Sequence, residues 1–173
     1  MIAPSIRALV LLLALTPQVI RAVSRPGMGP DDFGRWERRA LQCLIRSLEE
    51  PNSSEQESSC HSLRLDQQMA GLLSIRLLPE LRSGRAAGSQ LVFAGVLARG
   101  SQPMQCREGR CELQGEMVLR VSAVAHGAMG GAGLPMRLPR THLAQGSCHL
   151  ELRQGYCQAR DREGRRWSAH LRW

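Results

Sequence analysis

The chain has 173 residues, which suits one domain of ordinary size or two small ones. Its hydrophobic fraction of 43% is that of a globular protein and excludes an intrinsically disordered chain. The net charge of +8 comes from 23 arginines, because the sequence contains no lysine. These arginines are spread along the chain, which favours a compositional bias over a dedicated polyanion-binding segment.

The first segment, residues 1–24, has the pattern of a secretory signal peptide. Arg7 precedes an apolar run from Ala8 to Leu15, and small residues follow at Ala22 and Ser24. The run is shorter than the roughly 20 residues that a membrane-spanning helix needs. The sequence therefore predicts an extracytoplasmic protein (secreted, periplasmic or lumenal), with a retained N-terminal anchor as the weaker alternative.

Residues 25–81 are predicted to form a helical hairpin. Asp32 is a candidate N-cap for the first helix, and Pro51 would end it. Ser54 and Glu57 match a capping box that would begin the second helix, and Pro79 would end that one. The apolar positions that recur at helical spacing are Phe33, Trp36, Ala40, Cys43, Leu44 and Leu48 in the first helix, and Cys60, Leu63, Ala70, Leu73 and Leu77 in the second.

After a linker at residues 82–89, the hydrophobic period changes to two, and residues 90–173 are predicted to form an antiparallel β meander. A tight turn is expected at Glu108–Gly109, and the clearest strand runs from Trp167 to Trp173. The predicted fold class is α+β, with a disulfide-linked helical hairpin followed by the meander. The sequence leaves open whether the two regions share one core.

The chain has six cysteines, an even number, which in an exported chain indicates disulfides. Their spacing does not fit a zinc knuckle, so neither a metal site nor a cofactor is predicted. Cys43 and Cys60 would lie level across the helical hairpin, and Cys106 and Cys111 would flank the tight turn. Cys148 and Cys157 remain by elimination. A two-residue turn at Gln154–Gly155 would offset this last pair, so it needs a wider turn or a bulge, and exchange among the last four cysteines stays open.

The histidines are the candidate catalytic or metal-ligating residues, although no catalytic set is assembled in the sequence. His126 and His142 bracket a glycine-rich stretch at residues 126–139 and could approach each other, but no carboxylate lies within that loop. His149 and His170 fall on outward strand faces and are expected to be neighbours. An enzyme would need His142 or His149 to meet a carboxylate such as Glu151 or Glu116. Asn52 matches the N-glycosylation sequon.

The sequence favours a non-catalytic, exported protein that binds another protein or a surface component through its strand faces or the glycine-rich loop. One alternative is a polyanion binder that uses its arginine-rich surface, since guanidinium groups suit phosphate and sulfate. A second alternative is an enzyme with a histidine-centred site. Contact with a membrane is expected only through an uncleaved N-terminal segment.

Overall fold

A computed structural model describes residues 33–49, 53–69, 71–80, 88–130 and 132–173. These residues form twelve β-strands and no helix. The predicted signal peptide at residues 1–24, the sequon residue Asn52 and most of the predicted linker lie outside the described residues. The strands are β1 Gly34–Arg39, β2 Gln42–Leu48, β3 Gln56–Ser58, β4 Ser62–Met69, β5 Leu72–Leu78, β6 Gly88–Leu97, β7 Gln105–Arg107, β8 Arg110–Glu112, β9 Met117–Met129, β10 Arg140–Leu150, β11 Gln154–Asp161 and β12 Arg166–Arg172.

All twelve strands belong to one sheet, in the order β3-β2-β12-β11-β10-β9-β6-β5-β4-β1-β8-β7, and the sheet curls into a half-barrel. The short link between β1 and β2 connects the two flanks of this sheet. The Ala40 N–H donates to the His61 carbonyl before β4, and the Leu41 N–H donates to the Arg172 carbonyl of β12, each at 2.8 Å. The curl also brings Trp36 and Trp173 into edge-to-face contact, with ring centroids 5.5 Å apart.

The core lies on the inner face of the half-barrel. Alternate residues of each long strand point inward, as in β5, where Leu73, Ile75 and Leu77 are at most 2% exposed. The buried cluster draws side chains from β1, β2, β4 and β5 as well as from β6 to β12. Residues from both predicted regions therefore pack in one core.

The predicted helical hairpin is wrong, because residues 34–78 form strands β1 to β5 in the described part of the chain. Leu73 and Leu77 fit either period, since a spacing of four residues is one helical turn and also two strand repeats. The deciding residues are Leu65 and Ile75. Both are fully buried beside Leu63 and Leu73, at a spacing of two that no single helix face permits. The fold is all-β rather than α+β.

The prediction of disulfide bonding is confirmed. The structure contains the bridges Cys43–Cys60, Cys106–Cys111 and Cys148–Cys157, with Cα–Cα distances of 5.3, 3.9 and 4.0 Å. Cys106–Cys111 and Cys148–Cys157 each join two adjacent strands. Cys43–Cys60 joins β2 to the short segment between β3 and β4. Three disulfides are typical of an oxidising, extracytoplasmic environment.

The turns of the meander explain two of these bridges. Glu108 and Gly109 both have positive φ, 50° and 76°, as a two-residue type I′ hairpin turn requires, and Cys106 lies directly opposite Cys111. The connection from β10 to β11 is a wider turn, in which Leu150 pairs with Gly155. This turn removes the expected offset and places Cys148 directly opposite Cys157.

Candidate functional site

Two histidines meet on adjacent strands at one end of the half-barrel. His126 lies near the end of β9 and His142 near the start of β10, and their Nε2 atoms are 3.3 Å apart. The ring planes are inclined by only 13°, and the ring centroids are 5.4 Å apart. Because the Nε2 atoms are much closer than the centroids, the rings present their Nε2 corners to each other. Both side chains are partly accessible, at 18% and 15% exposure.

Each histidine faces a carboxylate at its other ring nitrogen. Nδ1 of His126 lies 3.3 Å from Oε1 of Glu49, which directly follows β2. Nδ1 of His142 lies 3.9 Å from Oδ2 of Asp161, the last residue of β11. The four side chains form a row, Glu49–His126–His142–Asp161, which we call the histidine row. The approach of the two histidines agrees with their positions on either side of one loop. The two carboxylates were not predicted, because they come from remote strand ends and not from the intervening loop.

Asp161 is the most constrained member of the row, with a side chain only 3% exposed. Its Oδ1 accepts the backbone N–H groups of Glu163 and Arg165, each at 2.9 Å, and its Oδ2 accepts the Arg165 guanidinium. Burial alone would raise the pKa of this carboxyl, but the hydrogen bonds and charge of Arg165 outweigh burial and lower the pKa. Asp161 is therefore held as a carboxylate beside His142.

The electrostatic surroundings disfavour a charged His126. Burial lowers the pKa of His126, and electrostatic repulsion from His142, Arg140 and Arg165 lowers it further, against the opposing effect of Glu49. A neutral His126 can donate Nδ1–H to Glu49 and keep a lone pair on Nε2. That lone pair can accept an N–H from His142, or it can bind a cation.

The glycine-rich connection between β9 and β10 lies beside the histidine row. β9 continues to Met129, so the loop proper spans residues 130–139 and is shorter than the sequence suggested. Backbone hydrogen bonds fold the loop back on itself: Gly130 N–H donates to Leu134, Gly133 N–H donates to Gly130, and Met136 N–H donates to Ala128, at 2.8, 2.9 and 3.0 Å. Gly133 has a φ of +76°, which allows this tight turn.

Three large apolar side chains project from this hydrogen-bonded loop. Leu134, Met136 and Leu138 are 69%, 60% and 94% exposed. We refer to these three residues as the apolar tip. Arg137 lies between two of them, and Arg140 follows the loop, so the tip has a basic border.

The remaining histidine candidates lie on the outer face of the sheet. His149 and His170 are not paired directly, because Tyr156 of β11 is opposite both of them in the register. The Tyr156 and His170 ring centroids are 4.5 Å apart. His149 and Glu151 line the same open cleft of about 760 Å³, where no hydrogen bond joins them among the described contacts. The predicted enzyme set is therefore not assembled there.

In the described ranges, no three histidine, cysteine, aspartate or glutamate side chains converge as ligands of one metal ion. The same ranges contain no helix of the length and hydropathy needed to cross a bilayer. Comparison of the chain with protein-family models, curated proteins and solved structures gives no match.

Proposed function

We propose that this chain is an exported, non-catalytic binding protein that recognises a protein partner through the apolar tip of its β9–β10 loop. The observation that supports the proposal is the exposure of Leu134, Met136 and Leu138 on a loop that is held by its own backbone hydrogen bonds. The N-terminal signal pattern and the three disulfides support secretion, or export to a periplasm or lumen.

Exposed apolar side chains on an ordered loop are costly in water and useful at an interface. Full burial of one such side chain in a partner contributes about 1.5–3 kcal/mol. The loop backbone is already held by hydrogen bonds, so binding would restrict few additional backbone torsions. Less of the binding free energy would therefore be offset by lost conformational entropy. Three anchors of this kind can form the energetic centre of a protein interface.

The basic border of the tip indicates the character of the partner. Arg137 and Arg140 would lie at the edge of the interface, and the chain carries a net charge of +8. We therefore expect an apolar cleft with an acidic rim on the partner protein. The opposite charges would mainly increase the association rate and fix the orientation.

The test is site-specific photocrosslinking from position 136 in the extracytoplasmic fluid of cells that make the protein. The crosslinked protein is then identified, purified and titrated against the wild-type chain. The variant L134S/M136S/L138S should weaken binding at least about a hundredfold, since it removes three apolar anchors of the size given above. A matched control, L41S/L152S, changes two equally exposed leucines outside the loop, at 78% and 64% exposure, and should bind normally.

Three results would contradict the proposal. Binding that is unchanged in the tip variant would exclude the loop as the interface. Tip-dependent binding to phosphatidylserine vesicles, without a protein partner, would assign the loop to a membrane surface. Binding to heparin that is independent of the tip and lost at physiological salt would instead favour the polyanion alternative.

A further inference from the structure

The histidine row has the arrangement of a metal-binding site. We propose that Nε2 of His126 and Nε2 of His142 together bind one Zn²⁺ ion at the accessible end of the half-barrel. This site is separate from the apolar tip, and the proposal does not depend on the proposed protein partner.

The distance between the two nitrogens suits one zinc ion. Two imidazoles that bind one zinc ion at about 2.0–2.1 Å with tetrahedral angles hold their nitrogens about 3.3 Å apart. The Nε2 atoms of His126 and His142 are 3.3 Å apart, and the Nε2 corners of the rings face each other. The two nitrogens are therefore already at the separation of a zinc-bound pair.

A carboxylate lies behind each of the two rings. Metal-binding histidines usually donate the N–H of their other ring nitrogen to a carboxylate or carbonyl, which fixes the tautomer and increases the basicity of the ligating nitrogen. Glu49 lies 3.3 Å from Nδ1 of His126, and Asp161 lies 3.9 Å from Nδ1 of His142. An Nδ1–H of His126 that faces Glu49 leaves the Nε2 lone pair of that ring free to bind the ion. Asp161 is too far from His142 for a hydrogen bond and contributes its negative charge beside the ring.

A histidine pair without a metal would use the same contact differently. One Nε2–H then donates to the other Nε2, and the pair carries one proton between the rings. When the ion binds, Zn²⁺ replaces this hydrogen bond between the two lone pairs: the Nε2 proton of the donor ring is exchanged through solvent for a proton on Nδ1 of the same ring, so a neutral pair releases no net proton, and no electron is transferred. Two further ligand positions are open to water, since the described residues offer only two histidine ligands and both rings are partly exposed.

The site would also join β9 to β10 at the base of the loop. His126 pairs with Arg140 in the register, and His142 pairs with Val124, so the two ligands lie diagonally across one strand pair. The Trp167 ring lies against His142, with centroids 5.2 Å apart, and limits the ring positions that His142 can adopt. The nearby guanidinium groups of Arg140 and Arg165 repel a cation and will limit the affinity.

The test uses Zn²⁺ and Co²⁺ with the full disulfide-bonded chain after chelator treatment. We expect one equivalent of Zn²⁺ to bind in competition with a chromophoric chelator. Co²⁺ should give visible d–d absorption, which Zn²⁺ then abolishes. Thermal unfolding should shift to higher temperature when Zn²⁺ is present.

The variants separate this site from the other histidines. H126N and H142N should each abolish the stoichiometric binding, and E49Q should weaken it about 10–100-fold, as expected for loss of a supporting carboxylate. H149N and H170N remove histidines from the outer face and should bind Zn²⁺ as the wild type does. Circular dichroism of each variant shows that it is folded before it is titrated.

Two outcomes would overturn the proposal. If the folded wild-type chain binds neither Zn²⁺ nor Co²⁺, the 3.3 Å contact is a hydrogen bond only. If binding survives in the folded H126N and H142N variants, or disappears in H149N or H170N, the ion belongs to another site.

Discussion

The disulfide between Cys148 and Cys157 is the one whose removal should affect stability most, because both of its cysteines are fully buried, although Cys43–Cys60 closes a longer loop. The two cysteines lie directly opposite each other on β10 and β11, and both are fully buried in the core. The other two bridges are more exposed or lie in the short β7–β8 hairpin at the sheet edge. The perturbation is the double variant C148A/C157A, expressed so that the remaining two bridges still form.

The magnitude has two parts. The bridge spans nine positions, so a closed loop of about ten residues is released, which costs about 2.7 kcal/mol in the chain-entropy model. Loss of two buried sulfur atoms, each treated as one methylene, adds about 1.5 kcal/mol. We expect C148A/C157A to lower the free energy of unfolding by about 4 kcal/mol. This loss is a large part of the free energy of unfolding of a typical domain, which is roughly 5–15 kcal/mol.

A second variant separates the two parts. C148V/C157V restores apolar volume in the core without a cross-link, so it should lose only about 2.7 kcal/mol. Urea unfolding followed by tryptophan fluorescence measures both values, because Trp167 is buried in the same core. A loss below about 1 kcal/mol for the alanine variant would refute the reasoning. Equal losses for the two variants would show that packing of the sulfur atoms contributes nothing.

Two other substitutions test how the sheet is held together. Gln67 is buried, and its side-chain amide exchanges two hydrogen bonds with the backbone of Met104, at 2.9 and 3.2 Å. Q67L should therefore lower the free energy of unfolding, measured in urea, by about 2–3 kcal/mol. Its neighbour Gln68 is exposed, so Q68L should change that free energy by less than about 0.5 kcal/mol. Gly95 lies at a register shift where an added Cβ would overlap the β9 backbone, so G95A should lower the free energy of unfolding by about 2–3 kcal/mol. A Cβ at Gly115 would meet open space, so G115A should leave the stability nearly unchanged. Equal stability of the two alanine variants would contradict this account.

The second half of the fold could be predicted from the sequence because its signals are local. The turn at Glu108–Gly109 and the alternation of Trp167, Ala169 and Leu171 each depend on residues within one hairpin or one strand, and the structure has both. The Cys106–Cys111 bridge follows from the same turn. Local patterns of this kind do not depend on how the sheet closes.

The first half could not be assigned from periodicity alone. Leucines four residues apart satisfy a helix and a strand equally, and the capping-box match at Ser54 and Glu57 added a helical signal where the structure has an extended segment. Leu65 and Ile75 carried the contrary information. The strict alternation of apolar and polar residues in Leu63-Arg-Leu65 and Leu73-Ser-Ile75-Arg-Leu77 is typical of strands.

The histidine row shows why the candidate site was only half visible in the sequence. His126 and His142 flank one loop, so their approach follows from a hairpin, which is a local structure. Glu49 and Asp161 reach the same rim only because β2 and β11 end there, and that depends on the complete strand order of the sheet. A misassigned β2 therefore removed Glu49 from consideration altogether. A wrong fold assignment therefore hides a site built from several strand ends more completely than a site within one hairpin. The zinc titration of E49Q tests the contribution of Glu49, the residue that was missed.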